Sequence, residues 1–291
     1  MIRPTLRQLE YLTAIQEHKN FSAAANACNV TQSTLSAGIK ELESILSQTL
    51  VNRTRSAATL TPFGLETFET AQEILSQTDR LTARAKSLKE PMSGPLRLGI
   101  IPTIAPYTLP EILPRLTKQF PKLEIQLFED LTDNLLEKLN KNQIDIALLA
   151  YPYDTPGMHQ HILFEEPFYA AMPEGLKEQN TININELEPD KLLLLEDGHC
   201  LRDHALRACD LQIPKQRKTF SATSLPTILQ MVREGLGTTL LPEMACRPDT
   251  VPKGIKLLPF NDATPPTRQI GLSWRKNDPR RKDYTTLAEF L

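Results

Sequence analysis

One long amphipathic run, beginning at Thr61-Pro62, constrains this chain of 291 residues more than any other stretch. A hydroxyl residue followed by proline suits a helix start. The side chain caps orphan N–H groups, and proline at the first helical position gives up an N–H that has no partner there anyway. Downstream, Ala71, Thr78 and Ala85 recur every seven residues, and Ile74, Leu81 and Leu88 do so offset by three. Small residues on one row and large ones on the next let two helices pack closely. The run ends at Pro91-Met92-Ser93-Gly94-Pro95, a hinge by composition. Residues 62–90 are therefore expected to form a linker and dimerisation helix. The plainer alternative is an ordinary amphipathic helix within one domain. Either way the run separates a small head, 1–61, from a body, 91–291.

In the head, Leu6, Leu9, Leu12 and Ile15 lay an apolar stripe along a helix from Leu6 to Lys19. Ser22 is expected to cap a second helix, Ala23 to Cys28, and Asn29-Val30 to turn the chain. Thr31 then caps a third helix, with Leu35, Ile39 and Leu42 on its inner face. Two helices joined by a tight turn, the second with a polar leading edge, make a helix-turn-helix layout. That second helix enters the major groove with its first residues at the base edges. Gln32, Ser33, Thr34 and Ser36 carry short hydrogen-bonding groups suited to bases and phosphates. Leu50 to Leu60 reads as a two-stranded wing carrying Arg53 and Arg55, which suit phosphate. The alternative is a small helical domain with polar caps. It draws support from charge, because residues 1–61 hold six Lys/Arg against four Asp/Glu, a weak basic footprint.

Past the hinge, short apolar runs alternate with helical periods. Strands are expected at Leu96–Ile101, Leu123–Phe128, Ile144–Leu149, Pro167–Met172, Leu192–Leu195, Lys218–Ser221, Thr238–Leu241 and Gln269–Trp274. Helices are expected at Leu109–Gln119, Leu131–Asn140, Leu225–Glu234 and from about Arg281 onward. Alternating βαβ units imply a mostly parallel sheet, with ligands at the carboxyl ends of its strands. Thr103 and Thr132 follow the first two strands and are placed to face such a crevice. A cap or loop role is the plain reading of each.

The chemistry concentrates in Leu192 to Leu211, LLLLEDGHCLRDHALRACDL. Glu196-Asp197-Gly198 breaks the strand, and helical spacing starts at His199. Cys200 then lies in the first helical turn, near the positive end of the macrodipole, flanked by His199 and Arg202. Such a thiol is expected to titrate low and react as thiolate. It shares a face with Asp203, His204 and Arg207, whereas Cys209 shares one with Leu201, Ala205 and Leu206. Cys200 is thus expected to be polar and reactive, and Cys209 buried and quiet. Nine residues along a helix separate the pair by about 13 Å, beyond the roughly 7 Å that a disulfide spans. Bridging them would remodel the helix, which suits a switch better than a staple. Two other readings remain: Cys209 as core filler, and a metal site of His199, Cys200, His204 and Cys209, which Cys209 cannot join on a straight helix. Cys28 is expected in the head's core, and Cys246 is assigned no role. No apolar run is long enough to span a membrane and no signal peptide is evident, so the chain reads as soluble and cytoplasmic, without a cofactor.

The head resembles the LysR-type transcriptional regulators. The likeness runs through Leu9-Glu10-Tyr11-Leu12, Phe21-Ser22-x-Ala24-Ala25, Thr31-Gln32-Ser33-x-Leu35-Ser36, Leu42-Glu43, Arg53-Thr54 and Leu60-Thr61-Pro62-x-Gly64. It departs from the family pattern at Ser33, Ser47 and Val51, where proline, glycine and phenylalanine are usual, and in a wing whose second basic residue sits early, at Arg55. In the body, GIIPTIAPYTLPEILP at 99–114, LLLLEDGHCLRDHALRAC at 192–209 and ATSLPTILQMVREGLGTTLLP at 222–242 are similar to the family's peroxide-sensing branch.

The resemblance implies a winged helix-turn-helix DNA-binding domain and linker helix, followed by an α/β regulatory domain of two lobes, built like a periplasmic binding protein. Lobe I would comprise 91–165 and 269–291, and lobe II 166–268, with crossing strands near 165 and 268. It also implies a transcription factor that controls antioxidant genes. Hydrogen peroxide would oxidise Cys200, and Cys209 would resolve it in an intramolecular disulfide. Thr103, Thr132, His199 and Arg268 would form the peroxide site, with Arg202 and Asp203 completing the local motif. The implied partners are double-stranded promoter DNA, further copies of the chain in a dimer or tetramer, RNA polymerase, and glutaredoxin or thioredoxin as reductant, with no membrane. Two alternatives stay open: a LysR-type regulator with a small-molecule effector, and a thiol peroxidase enzyme.

Overall fold

The structure, a computed structural model, describes residues 3–53, 58–176, 178–208 and 221–291. The chain divides into two compact units, Met1–Lys86 with Lys141–Gln143, and Ser87–Asn140 with Ile144–Leu291.

The first unit opens with α1 (Leu6–His18), α2 (Phe21–Ala27) and α3 (Gln32–Leu46). Thr5 and Gln8 form a reciprocal cap at the start of α1. The second helix begins earlier than Ser22 suggested. Asn20 is its cap, accepting the N–H groups of Ser22 and Ala23 at 2.8 and 3.1 Å. A carboxamide oxygen that takes two orphan donors outcompetes a hydroxyl two residues later. Ser22 instead donates its hydroxyl to Gln32 Oε1 at 3.0 Å. Thr31 caps α3 as its position implied. Leu12, Ile15, Leu35, Ile39, Leu42 and Leu50 are fully buried and fuse the three helices around one core.

A short antiparallel pair follows, β1 (Val51–Arg53) and β2 (Ala58–Leu60), and then α4 (Pro62–Lys89). Thr61 caps α4 by accepting the Gly64 N–H at 2.9 Å. The heptad positions are used unevenly: Ala71 is buried in the head's own core and Thr78 is half-buried, while Ile74, Leu81 and Ala85 are exposed. Gly64 is fixed by space, since a Cβ there would lie 2.2 Å from the Leu50 carbonyl oxygen, a backbone atom that cannot step aside. Gly64→Ala is expected to cost the head about 2 kcal/mol or more. Thermal unfolding followed by circular dichroism checks this, and an unchanged midpoint would rule the contact out as a constraint.

The second unit is built on β3 (Gly94–Ile100), α5 (Ala105–Gln119), β4 (Leu123–Glu129), α6 (Thr132–Asn140), β5 (Ile146–Tyr151) and β6 (Met158–Pro173). It continues through β7 (Leu194–Leu195), α7 (Cys200–Ala208), β8 (Ser221–Ala222), α8 (Leu225–Arg233) and β9 (Thr239–Pro242). It closes with β10 (Ile255–Pro259), β11 (Thr267–Arg275) and α9 (Arg281–Phe290). The main sheet runs β10–β6–β11–β5–β3–β4, with β9 also on β6. Only β3 pairs in parallel there, with β4 and β5. Both β11 and β6, and the strands laid on β6, run antiparallel. The expected mostly parallel sheet is thus corrected to a mixed one. The crossing strands return against their neighbours, and β10 lacks the clean alternation by which a strand is recognised.

The sheet serves two cores. Met158, at the start of β6, packs in the core of β3 and β5, while Phe168, Ala170, Ala171 and Met172 pack in the core of β7, α8 and β9. A strand that changes cores along its length carries the two-lobed architecture. Helix α5 starts four residues before its expected position and continues through Pro110 and Pro114. These prolines and Pro106 recur every four residues on the exposed face, where carbonyls that lose an N–H partner are hydrated instead. Among the described residues no helix is long and apolar enough to cross a membrane.

Candidate functional site

The carboxyl ends of β3 and β4 and the start of α7 converge on a small, tightly closed pocket. Thr103 comes from the loop after β3 and Thr132 from the first residue of α6. Gly198, His199 and Cys200 come from the turn that leads into α7. Gly198 holds a left-handed backbone with φ of 95°, which lets the chain reverse from β7 into the helix.

Cys200 lies on a boundary. Its side chain, 4% exposed, belongs to the core of β3 and β5, whereas Leu201 and Ala205 pack in the other core. Burial pushes the thiol above its ordinary value. The Thr132 hydroxyl, the Arg268 guanidinium and the Leu201 N–H pull against that, and Asp203 adds to it. The low-titrating, polar Cys200 expected from the sequence is therefore corrected. A helix N-terminus and a nearby cation do not offset the removal of this sulfur from water. Thr132 Oγ1 is buried and makes no hydrogen bond; its approach to the sulfur favours the thiolate without reaching hydrogen-bond geometry. Burial also lowers His199, with Glu196 opposing, so its ring is neutral near pH 7.

Arg268 stands behind Thr103 rather than in the pocket wall. It is fully buried, with Nη1 donating to Thr103 Oγ1 and Nη2 to the Thr103 carbonyl, both at 3.3 Å. Its counter-ion is Glu166, 2.6 Å away. Spacing along the chain does not single out Glu166. The signal available was an acid inside an apolar strand, but its pairing with Arg268 needs the register of β6 on β11, which joins these two residues directly.

The local motif residues divide. Arg202 clasps the turn, meeting the Leu195 carbonyl and Asp197 at 3.3 Å each. Asp203 is exposed and lines a neighbouring polar pocket with Asp133, Tyr153, Asp154, His204 and Arg207. His204 shares the Cys200 face of α7, but it is buried and its Nε2 lies 2.9 Å from the Pro152 carbonyl. That nitrogen is committed to the backbone, which removes it from the metal set considered above. Cys209 lies outside the described residues, and so does its pairing. Cys28 and Cys246 are half-buried, and burial pushes Cys246 up to about 12.

In the first unit, Gln32, Ser33 and Thr34 occupy the exposed first turn of α3, with Ser36 half-buried beyond them. Their groups also serve the fold: Thr31 Oγ1 lies 2.9 Å from the Ser33 hydroxyl and 2.8 Å from that of Thr34. The side chain of Arg53 and all of Arg55 lie outside the described residues.

Residues 6–65 match the model of the bacterial regulatory helix-turn-helix proteins of the lysR family, and residues 89–291 that of the LysR substrate binding domain. The chain belongs to the LysR family. Among LysR relatives, it is 40% identical to the DNA-binding transcriptional dual regulator OxyR of Escherichia coli over 98% of this chain and 94% of that one. It is 38% identical to the HTH-type transcriptional regulator EstR of Acinetobacter baylyi over 99% and 96%. Among solved LysR structures, a full-length OxyR variant from Pseudomonas aeruginosa aligns at a TM-score of 0.73 with 33% identity, covering 99% of this chain and 97% of that one. A hydrogen-peroxide-bound OxyR variant from Corynebacterium glutamicum aligns at 0.65 with 32% identity, covering 99% and 92%.

Proposed function

We propose that this LysR regulator binds promoter DNA and responds to hydrogen peroxide through Cys200. The observation that carries the reading is the pocket that gathers Thr103, Thr132, His199 and Cys200, with an unpartnered Thr132 hydroxyl beside the sulfur. A buried hydroxyl without a partner costs free energy unless something fills its place. A peroxide molecule carries both donors and acceptors, and a small movement of the lining side chains would admit it. The similarity to OxyR proteins, one of them peroxide-bound, points the same way.

In the proposed reaction, peroxide accepts and donates hydrogen bonds among Thr103, Thr132 and His199. Cys200 thiolate attacks one oxygen, the O–O bond breaks, and the leaving hydroxide takes up a proton as water. Cys200 is left as sulfenic acid. The Cys209 thiol then attacks that sulfur, a second water leaves, and a disulfide forms. Closing it requires α7 to unwind. Reversal consumes two thiols from a reductant such as glutaredoxin or thioredoxin. The refolded segment biases the regulatory domain between two arrangements, and the heads respond. We assign the head to residues 1–61, the linker helix to 62–90, and the two lobes to 91–165 with 269–291 and to 166–268. The heads would act in a dimer or tetramer, with Gln32, Ser33, Thr34, Ser36, Arg53 and Arg55 toward DNA and RNA polymerase as the downstream partner.

A second reading, a small-molecule effector with the cysteines incidental, draws on the comparable likeness to EstR. One experiment separates them: DNA footprinting of reduced and peroxide-treated chain beside Cys200→Ser. The footprint of the wild-type chain is expected to change on oxidation and that of the variant to stay fixed. The same change in both, or none in the wild type, would sink the peroxide reading.

A further inference from the structure

We infer that Glu166 is a positioning residue that sets the reactivity of Cys200, acting through Arg268 and Thr103. The inference rests on the reading of Cys200 as the peroxide-reactive thiol. Its geometric basis is a chain of contacts among buried residues. Glu166 Oε1 accepts from Arg268 Nε at 2.6 Å, and Glu166 Oε2 accepts the Met244 N–H at 3.0 Å. The carboxylate is therefore held at both oxygens, from two different elements. Arg268, so oriented, presents Nη1 to Thr103 Oγ1. A threonine hydroxyl that accepts from a guanidinium keeps its own hydrogen for another acceptor. The pocket that holds Cys200 is where Thr103 has one to offer.

Charge adds a second effect. Arg268 favours the Cys200 thiolate across the buried site, and Glu166, with its side chain 3% exposed, offsets that cation at contact distance. The other groups around Cys200 are Asp203, which disfavours the thiolate, and Tyr153, His199 and His204 near the start and face of α7. None of them shares a hydrogen bond with Arg268. Glu166 thus acts as a brake. It fixes the donor geometry of the pocket while withholding part of the positive charge that would ionise the thiol.

The test is an equilibrium titration of the Cys200 thiolate by its absorbance at 240 nm, taken as the difference against Cys200→Ser in the same background. In Glu166→Gln, which keeps an oxygen for Arg268 but not the charge, the thiolate present at a fixed pH below the midpoint is expected to rise about threefold, a downward shift of about half a unit. Glu166→Asp, which restores the charge, is expected to return most of the profile. Circular dichroism of each variant establishes that it is folded, and Glu166→Asp supplies the comparison should Glu166→Gln fold poorly. A midpoint that stays in place or moves upward in Glu166→Gln overturns the assignment, as does one in Glu166→Asp that matches Gln rather than wild type. Because the titration uses no peroxide or DNA, its failure is distinct from a failed footprint.

Discussion

Arg268→Met is expected to cost the regulatory unit about 3–5 kcal/mol, because it leaves the Glu166 carboxylate buried without its counter-ion. Truncating one member of a buried pair forfeits the attraction and retains the other member's desolvation cost. The remaining Met244 N–H is one hydrogen bond against a whole charge. The double replacement Arg268→Met with Glu166→Leu is expected to recover most of the loss, since apolar groups of similar volume often serve a buried site as well as an ion pair does. Urea unfolding followed by Trp274, the single tryptophan, reports on this unit because the residue is buried on β11. A loss below about 1 kcal/mol in Arg268→Met would mean that Glu166 finds water or another cation.

The rate at which peroxide oxidises Cys200 is expected to climb about tenfold for each pH unit between 6 and 8. Only the thiolate attacks, and burial holds the thiol above its ordinary value, so every unit of pH below the midpoint multiplies the reactive fraction. The sign on stability follows. A thiol whose folded value exceeds its unfolded value, about 8.5, contributes fully below the unfolded value and loses that contribution as pH rises toward the folded one. Trapping the sulfenic acid with a dimedone-type reagent at fixed times measures the rate. A flat profile from 6 to 8 would show the thiolate already formed and would contradict the buried, protonated sulfur.

Much of this is legible in the sequence alone. Thr31, Thr61 and the stripe of Leu35, Ile39 and Leu42 act locally, and caps and periodicity report local structure faithfully. The motif around His199 and Cys200 is also contiguous, so spacing places the start of α7 within one residue, at His199 against the observed Cys200. What failed depended on distant partners. Cys200 looks polar along its own helix, because the residues that bury it come from β3, β5 and α6, outside the window that spacing can read. Glu166 needed the register of β6 on β11. The mixed sheet needed to be known as one sheet before its directions could be assigned.

The placement of Cys200 in one core and of its neighbour Leu201 in the other has a kinetic consequence. The sulfur is buried between those cores, so a bulky thiol reagent must wait for them to part. The labelling rate of this sulfur by such a reagent is therefore a clock for lobe breathing. Anything that clamps the lobes together, whatever its chemistry and wherever it binds, slows that clock by the factor by which it suppresses the open state.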